Sequence, residues 1–267
     1  MQVLAFHLMG KMAHFRKYYS NSTALSYYLP PVVTVKGILA GLLGRERDSY
    51  YTEFSDDMCK VAVGIGAKTR KITQTMNLLK VEKPDDLNGS SRPNGKKYRD
   101  YGANHTQNDT EWVIPGNFQM GALCYPVRFW HRNSDLMDEL AEKLCSCPGA
   151  YGSEGVSLAL GSAQCLGWID GAKLLETEKI ESNCLKTRFA APISAVNGLD
   201  RTVSLRDISL LKEETIVEFD ANRTITEKSK QDILISDNGT SISFQLNPQV
   251  PFWRDEEDDY LFLGGPF

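Results

Sequence analysis

The order of apolar segments along the first 170 residues is the feature that most constrains the fold of this 267-residue chain. Short runs typical of β-strands alternate with segments whose apolar residues recur at helical spacing. In chain order they predict a strand, a helix, a strand, a polar excursion, a strand, a helix and a strand at residues 3–8, 32–43, 60–65, 82–110, 120–130, 134–144 and 156–161. The order β-α-β-β-α-β is the split-βαβ pattern of ferredoxin-like domains, which RNA-recognition domains use. We therefore predict an α+β fold of this kind.

The polar stretch inside this pattern has a composition that cannot support a hydrophobic core. Residues 82–110 contain two prolines, three glycines and a basic cluster at Lys96, Lys97 and Arg99, which predicts a protruding loop or mobile hairpin. Beyond residue 187 short β-like runs dominate. We predict a ferredoxin-like domain at residues 1–175, with the excursion at about 82–118, and a smaller β-rich region at 176–267.

The charge of the chain is divided unevenly between its halves. The formal net charge is −4, which by itself argues against a nucleic-acid partner. Residues 1–132, however, hold 18 Lys+Arg and 11 Asp+Glu, a net of +7, whereas residues 133–267 hold 12 and 23, a net of −11. This split predicts a basic face in the first half. It predicts a solvated or partner-facing surface in the second, including the acidic run at residues 255–259.

Several functional classes have no support in the sequence. The six cysteines are too sparse for a disulfide scaffold, and the close pair Cys145 and Cys147 has no second pair to complete a zinc site. The segment from Gly64 to Thr69 lacks the spacing of a phosphate-binding loop. No metal or cofactor is expected. No apolar stretch reaches the roughly 18 residues of a membrane span and no signal-peptide core is present, so we expect a cytoplasmic protein.

Catalytic residues are scarce, and the histidines allow two interpretations. His14 lies among basic residues, where a metal-independent ribonuclease would use an imidazole with Lys11 and Tyr18 as acid, base or phosphate clamp. Alternatively, His7 lies in a strand and the other histidines are polar surface or RNA-contact residues. We favour the second interpretation, because one sequence does not show that these groups converge.

Basic and aromatic residues are interleaved in three segments of the first half, at residues 14–19, 68–77 and 128–132. Single-stranded RNA is bound by this combination, because cations contact phosphates, planar side chains stack on unpaired bases, and amides or hydroxyls read base edges. Each segment alone is equally consistent with a strand of buried aromatics and solvated cations. Together they predict RNA contacts that include Lys71, Arg128 and Arg132.

The opening third of the chain resembles CRISPR-associated protein family 5, a RAMP-superfamily subunit of type I Cascade effector complexes. The resemblance rests on LMGKMAHFRK at 8–17, Ser26-Tyr27, Pro30-Pro31, GILAGLLG at 37–44 and DSYY at 48–51. RKITQTMN at 70–77 is similar to the second block of the type I-B (Hmari/Tneap-like) branch. The match covers residues 2–81 best and weakens in the C-terminal third.

The resemblance implies a specific fold and role. Such proteins have a ferredoxin-like domain of the RRM type with a long β-hairpin thumb, expected here at 82–118, and a smaller C-terminal β region. They cap the 5′ end of the Cascade filament by binding the crRNA 5′ handle. The motif positions place handle contacts at Arg16, Lys17, Tyr18 and Asn21 after the first strand, Lys36 on the first helix, and Arg70, Gln74 and Asn77 before the thumb.

The resemblance also bears on catalysis and on partners. One branch, type I-C, cuts pre-crRNA with Tyr, Lys and His side chains, whereas type I-B systems use a separate endonuclease. We therefore expect a non-catalytic subunit for antiviral DNA interference, with endoribonuclease activity around Lys11, His14 and Tyr18 as the alternative. A protein scaffold that contacts no RNA is a third possibility. The implied partners are the crRNA handle, the Cascade backbone subunit and the large subunit, with PAM-proximal target DNA reached through the complex.

Overall fold

A four-stranded antiparallel sheet forms the centre of the fold. This computed structural model describes residues 1–20, 23–79, 105–145, 158–200 and 209–265. The strands are β1 (Gln2–Gly10), β2 (Phe15–Arg16), β3 (Ser26–Tyr27), β4 (Cys59–Val63), β5 (Thr69–Leu79), β6 (His105–Pro115), β7 (Leu123–His131), β8 (Gly167–Glu176), β9 (Glu178–Ile180), β10 (Cys184–Thr187), β11 (Ala191–Pro192), β12 (Val196–Leu199), β13 (Leu210–Ile216), β14 (Lys230–Ser236), β15 (Ile242–Leu246), β16 (Phe252–Arg254) and β17 (Asp259–Tyr260). The α-helices are α1 (Val32–Leu42) and α2 (Ser134–Cys145). The central sheet has the order β4-β7-β1-β8. The described chain is therefore α+β, as predicted.

Side chains of the central strand β1 alternate between two cores. Leu4, Phe6 and Leu8 belong to the main hydrophobic cluster, which also contains Leu39 of α1 and Leu140 of α2. Successive side chains of a strand point to opposite faces of its sheet. Val3 and Ala5 accordingly contact a second cluster on the other face. The two helices thus cover one face of the central sheet.

The C-terminal strands cover part of the other face. Trp253, Tyr260 and Phe262 pack with Val3 and Ala5. The C-terminal strands form three small sheets, ordered β10-β15-β12, β11-β14-β13 and β17-β16-β9. The division at residues 175 and 176 stays a prediction, and we note that Leu4 and Ile233 lie in one hydrophobic cluster.

The final strand of the sheet begins later than predicted. The sequence favoured a strand at 156–161, whereas β8 begins at Gly167 and residues 151–157 lie outside the described part of the chain. Residues from Leu158 to Leu166 form a turn closed by the bridge between Ala159 and Leu166. Gly161 has a φ of +89° in this turn, a conformation that favours glycine. The apolar run predicts a strand because it contains buried residues such as Leu160, but in the structure Leu160 belongs to a turn.

The predicted polar excursion is in part a β-hairpin. β5 and β6 pair antiparallel, from Thr69 opposite Pro115 to Leu79 opposite His105. Residues 105–110, assigned to the excursion, therefore belong to a strand, while residues 80–104 lie outside the described ranges. The base of β6 is anchored because Trp112, Val113 and Ile114 are buried. In the described part of the chain no helix has the length and apolar character needed to span a membrane.

Candidate nucleic-acid interface

Arg128, which the basic segment at 128–132 predicted as an RNA contact, is fully buried. Its guanidinium group donates to Asp255 over 2.6 Å, to Glu257 over 2.9 Å and to Asp258 over 3.1 Å. The prediction is wrong for this residue, because its charge is neutralised inside the protein. The acidic run at 255–259 is correspondingly not just a solvated or partner-facing surface.

Lys36 is also buried, with 3% of its surface exposed, and so cannot contact a bound strand in this conformation. Helix α1 turns it toward the interior, where it lines a small cavity together with Glu218 and Phe219. Its Nζ has no hydrogen-bond partner among the residues that the structure describes. The prediction that Lys36 contacts the crRNA handle is therefore wrong. Its position in the motif does not determine which face of α1 packs against the rest of the protein.

Lys17 and Lys71 are held by carboxylates that sequence reasoning did not identify. Glu213 of β13 lies 3.1 Å from Lys17 Nζ and 3.6 Å from Lys71 Nζ, and Glu111 lies 3.4 Å from Lys71 Nζ. Burial lowers the pKa of Lys17, but contacts with Glu213 and then with Tyr19 together more than offset it, so the pKa is raised. Burial lowers the pKa of Lys71, whose ammonium lies 4.2 Å from the Tyr28 ring centroid. Lys17 thus connects the loop after β1 to β13, and Lys71 connects β5 to β13.

Arg132 is exposed but lies away from the other predicted contacts. Phe15, which precedes Arg16, packs against Tyr125 with ring centroids 5.9 Å apart. Arg132 follows the far end of β7, seven residues beyond Tyr125, a separation of roughly 20 Å along the strand. Asn21 lies outside the described residues. The remaining predicted residues are found on the loop after β1 and on β5.

A groove lies between the loop after β1, the β5–β6 hairpin and the turn at Gly161. Its cavity volume is about 430 Å³. The lining residues are His14, Phe15, Arg16, Ala24, Pro31, Thr34, Met76, Leu78, Asn108, Thr110, Trp112, Gly161, Ser162 and Gln164. Sequence reasoning missed Trp112, Thr34 and the turn residues, because no local pattern shows that a turn near 161 contacts a loop near 14.

Close backbone contact joins the two loops of this groove. The His14 N–H donates to the Leu160 carbonyl over 3.0 Å. A Cβ at Gly161 would lie 2.0 Å from the His14 carbonyl oxygen, so only glycine fits there. The glycine that follows the apolar run was visible in the sequence, and it is the signal that a close approach was needed.

The hairpin presents two faces, and the predicted contacts divide between them. Directly paired residues of antiparallel strands share a face. Gln74 is opposite Thr110 and Met76 is opposite Asn108, so Gln74 lies on the face of the groove-lining residues, as does Arg70 two pleats away. Asn77, at an odd register, lies on the other face. Arg70, Gln74 and Asn77 are all exposed.

The groove supplies a cation and polar groups suited to an unpaired strand. Arg16 donates to the uncharged Ser20 carbonyl over 3.1 Å, and no carboxylate of the described residues forms an ion pair with it. The buried Trp112 Nε1 has no hydrogen-bond partner within the described ranges. Trp112 is 2% exposed, so its indole forms the floor of the groove. The exposed Arg16 and Gln164 and the half-buried Asn108 can contact phosphates and base edges.

The three candidate catalytic residues have separate partners. Lys11 Nζ donates to the Gly121 carbonyl over 2.5 Å, and the Tyr18 hydroxyl donates to Glu214. His14 is buried, with Nδ1 2.6 Å from the Glu111 carbonyl oxygen. A carbonyl only accepts, so Nδ1 carries the proton, and burial lowers the His14 pKa. His14 lines the groove, whereas Lys11 and Tyr18 are not among the residues that line it.

Two histidines differ from the sequence interpretation. His14 and His131 were interpreted as surface or RNA-contact residues, but they are 6% and 3% exposed. His131 Nε2 lies 2.9 Å from the Glu53 carbonyl, and its ring stacks near Phe129. It is a core residue. Among the described residues no group of three or more His, Cys, Asp or Glu side chains is arranged to hold a metal ion.

Comparison with known proteins shows similarity at the level of the fold. No family model and no curated protein matches the sequence. A CRISPR protein from Archaeoglobus fulgidus, known from its crystal structure, superposes with a TM-score of 0.59 at 12% identity, over 97% of this chain and 98% of that one. A chain of a CRISPR RNA-guided surveillance complex superposes with a TM-score of 0.50 at 11% identity, over 90% and 91%. The chain therefore shares its fold with CRISPR-associated proteins.

Proposed function

We propose that this protein is a non-catalytic subunit of a type I CRISPR Cascade complex, of the family 5 type I-B branch, and that it binds and caps the crRNA 5′ handle. The observation that carries the proposal is the groove, which is lined by the exposed Arg16 and Gln164 and bordered by the hairpin face that carries Gln74. The structural similarity to a chain of an RNA-guided surveillance complex supports the class of assembly. The sequence motifs at 8–17 and 70–77 support the branch.

Within this proposal the fold has a ferredoxin-like, RRM-type core and a thumb. The sheet order β4-β7-β1-β8, with both helices on one face, supports the core assignment. The β5–β6 hairpin, whose pairing runs out to Leu79 and His105, would form the base of the thumb. The expected partners are the Cascade backbone and large subunits, with PAM-proximal target DNA reached through the complex. The expected compartment is the cytoplasm.

Binding of an RNA oligonucleotide that carries the 5′ handle tests the proposal. We expect binding that weakens as salt rises, because cations exchange with phosphate counterions. Arg16→Ala should weaken binding roughly tenfold, because a charge-assisted contact in the groove is lost. Arg132→Ala is the matched control, since it removes the same exposed charge at the far end of β7. Equal losses in the two variants would mean that the groove is not the binding site. Binding that does not depend on salt, together with no effect of Arg16→Ala, would favour the scaffold that contacts no RNA.

Endoribonuclease activity is the second candidate, and one observation favours it. His14 lines the groove, and its Nε2 lacks a proton when Nδ1 donates to Glu111, so the ring could accept a proton. Incubation of the purified protein with repeat RNA and EDTA distinguishes the two functions. We expect no discrete product. A product that His14→Ala abolishes would establish cleavage and reject the non-catalytic assignment.

A further inference from the structure

A second cavity adjoins the groove and shares a wall with it. Arg16, Pro31 and Thr34 line both cavities. The second has a volume of about 330 Å³, which is within the range of roughly 300–1,000 Å³ for small-ligand sites. Its far side is formed by the loop after α1, at Asp48, and by the chain after β13, at Arg223. We call it the tyrosine–arginine pocket.

The lining of this pocket combines cations with aromatic rings. Arg16, Arg47 and Arg223 contribute three guanidinium groups, and Tyr18 and Tyr51 are among the rings. A guanidinium group matches phosphate geometry with paired hydrogen bonds and also stacks on planar groups. Tyrosine rings stack on nucleobases. The pocket thus offers partners for both the phosphate and the base of a nucleotide.

Tyr27 adds an unused donor to the same pocket. It lines the pocket, is 2% exposed, and its hydroxyl has no hydrogen-bond partner among the described residues. Burial raises the pKa of Tyr27, so the hydroxyl is protonated at neutral pH. A buried hydroxyl without a partner is unfavourable, and a ligand acceptor would relieve that cost.

Asp48 neutralises two of the guanidinium groups in this structure. Its carboxylate lies 3.3 Å from Arg47 Nε and 3.3 Å from Arg223 Nη1, and it accepts from the Tyr51 hydroxyl. Asp48 and Arg223 both have positive φ, of 62° and 61°. The carboxylate therefore occupies the position where an incoming phosphate would bind. Its ion pairs with Arg47 and Arg223 would have to break before these arginines could bind the phosphate.

We propose that the tyrosine–arginine pocket binds one nucleotide turned out of the RNA strand in the groove, with its base among the tyrosine rings and its phosphate on Arg47 and Arg223 in exchange for Asp48. This inference rests on the proposed RNA-binding function. A nucleotide of the bound strand is favoured over a free one because Arg16 lies on the wall between the two cavities, so a strand in the groove passes the pocket entrance.

An abasic scan combined with pocket variants tests the inference. Binding is measured by fluorescence anisotropy for the handle oligonucleotide and for oligonucleotides in which each nucleotide in turn lacks its base. We expect one abasic position to weaken binding to the unaltered protein roughly tenfold, the size of one stacked base. Arg223→Gln should also weaken binding of the intact strand. When the variant is tested with that abasic oligonucleotide, the combined fold-loss in affinity should be smaller than the product of the two separate fold-losses, because both changes remove one interaction.

Charge variants at the pocket entrance add a test in the opposite direction. Asp48→Asn should strengthen binding several-fold, because the competing carboxylate is lost. Glu46→Gln is the control: it makes the same charge change two residues away, at an exposed side chain that is not among those lining the pocket. An equal gain in both variants would mean a general charge effect and would overturn the inference.

The outcomes separate this inference from the proposed function. If the oligonucleotide binds but no abasic position matters more in the unaltered protein than in Arg223→Gln, the pocket inference fails and handle binding stands. If no oligonucleotide binds, the proposed function itself fails, and the inference with it. A mixture of the four ribonucleoside monophosphates forms the last arm. Suppose that a monophosphate binds, that Arg223→Gln abolishes this binding, and that no abasic position in the scan matters more than the others. The pocket would then bind a free nucleotide, and the inference that its nucleotide belongs to the RNA strand would be overturned.

Discussion

Arg128 Nε donates to Asp255 Oδ2 over 2.6 Å, and both side chains are completely buried. The pair joins the central strand β7 to the turn between β16 and β17. Removing one partner of a buried ion pair leaves the other charge without compensation.

We expect Asp255→Asn to reduce the free energy of unfolding by about 3 kcal/mol, measured by urea denaturation. Asp232→Asn is the matched control, because Asp232 forms an ion pair with Lys212 in which both side chains are exposed. Its effect should not exceed about 1 kcal/mol. Comparable losses in the two variants would mean that the Arg128 pair contributes no more than a surface contact.

Glu257, in the same cluster, predicts a pH dependence of stability. Contact with Lys173, and then with Arg128, lowers the pKa of Glu257 below its ordinary 4.5. A carboxyl group whose folded pKa is depressed stabilises the protein above its unfolded pKa. That contribution is lost as the pH falls below about 4.5 and through the lowered folded value. Glu257→Gln should therefore flatten the stability profile between pH 5 and 3 at roughly constant ionic strength, measured by thermal unfolding. An unchanged slope would contradict the assignment.

Replacing Gly161 by alanine should have a large effect on stability, although it adds only one methyl group. In Gly161→Ala the alanine would have to adopt a positive φ, which L residues rarely do, and its Cβ would lie 2.0 Å from the His14 carbonyl oxygen. Because that oxygen is backbone, the loops at 14 and 161 must separate. We expect a loss of about 2 kcal/mol in unfolding free energy, together with weaker handle binding.

Gly198→Ala, in β12, is the control for this substitution. No heavy atom lies within 4 Å of a Cβ at Gly198. The methyl group should therefore change stability by no more than about 0.5 kcal/mol. If both variants unfold alike, the close approach at Gly161 is not what requires glycine.

Elements with strong local patterns could be predicted from the sequence, and features built from distant residues could not. The apolar residues of α1 recur at helical spacing after Pro31, so the helix was placed within one residue of its observed end at Leu42. Helix α2 begins at Ser134, as predicted, and the Asn133 side chain accepts the N–H of Asp135 in its first turn. Arg128 was misassigned because its counter-charge lies 127 positions away. A basic residue in an aromatic strand has the same local pattern whether it faces solvent or a buried carboxylate.

The groove, too, is built from residues that are distant in the sequence and could not be predicted from it. Arg16 and Gln74 could be nominated from their segments, but the groove depends on Trp112 and on the turn at Gly161, which reach it only through tertiary contacts. Lys17 and Lys71 belonged to convincing basic segments, yet Glu213 engages both. Segment composition could indicate the kind of ligand, whereas the structure was needed to show which cations are not paired by carboxylates.

His14 predicts a titration that is measurable in the free protein. Burial lowers the pKa of His14 below its ordinary 6.5, although the hydrogen bond to the Glu111 carbonyl acts in the opposite direction. The neutral ring with a protonated Nδ1 is therefore the main form at pH 7. A base whose folded pKa is depressed takes up protons more readily in the unfolded chain, so stability falls as the pH drops below about 6.5. NMR titration of the histidine ring signals should give a His14 pKa below 6.5, and His14→Gln should remove this part of the stability loss. A His14 pKa at or above 6.5 would mean that the imidazole is exposed or paired with an acid in solution, contrary to its buried position against Trp112.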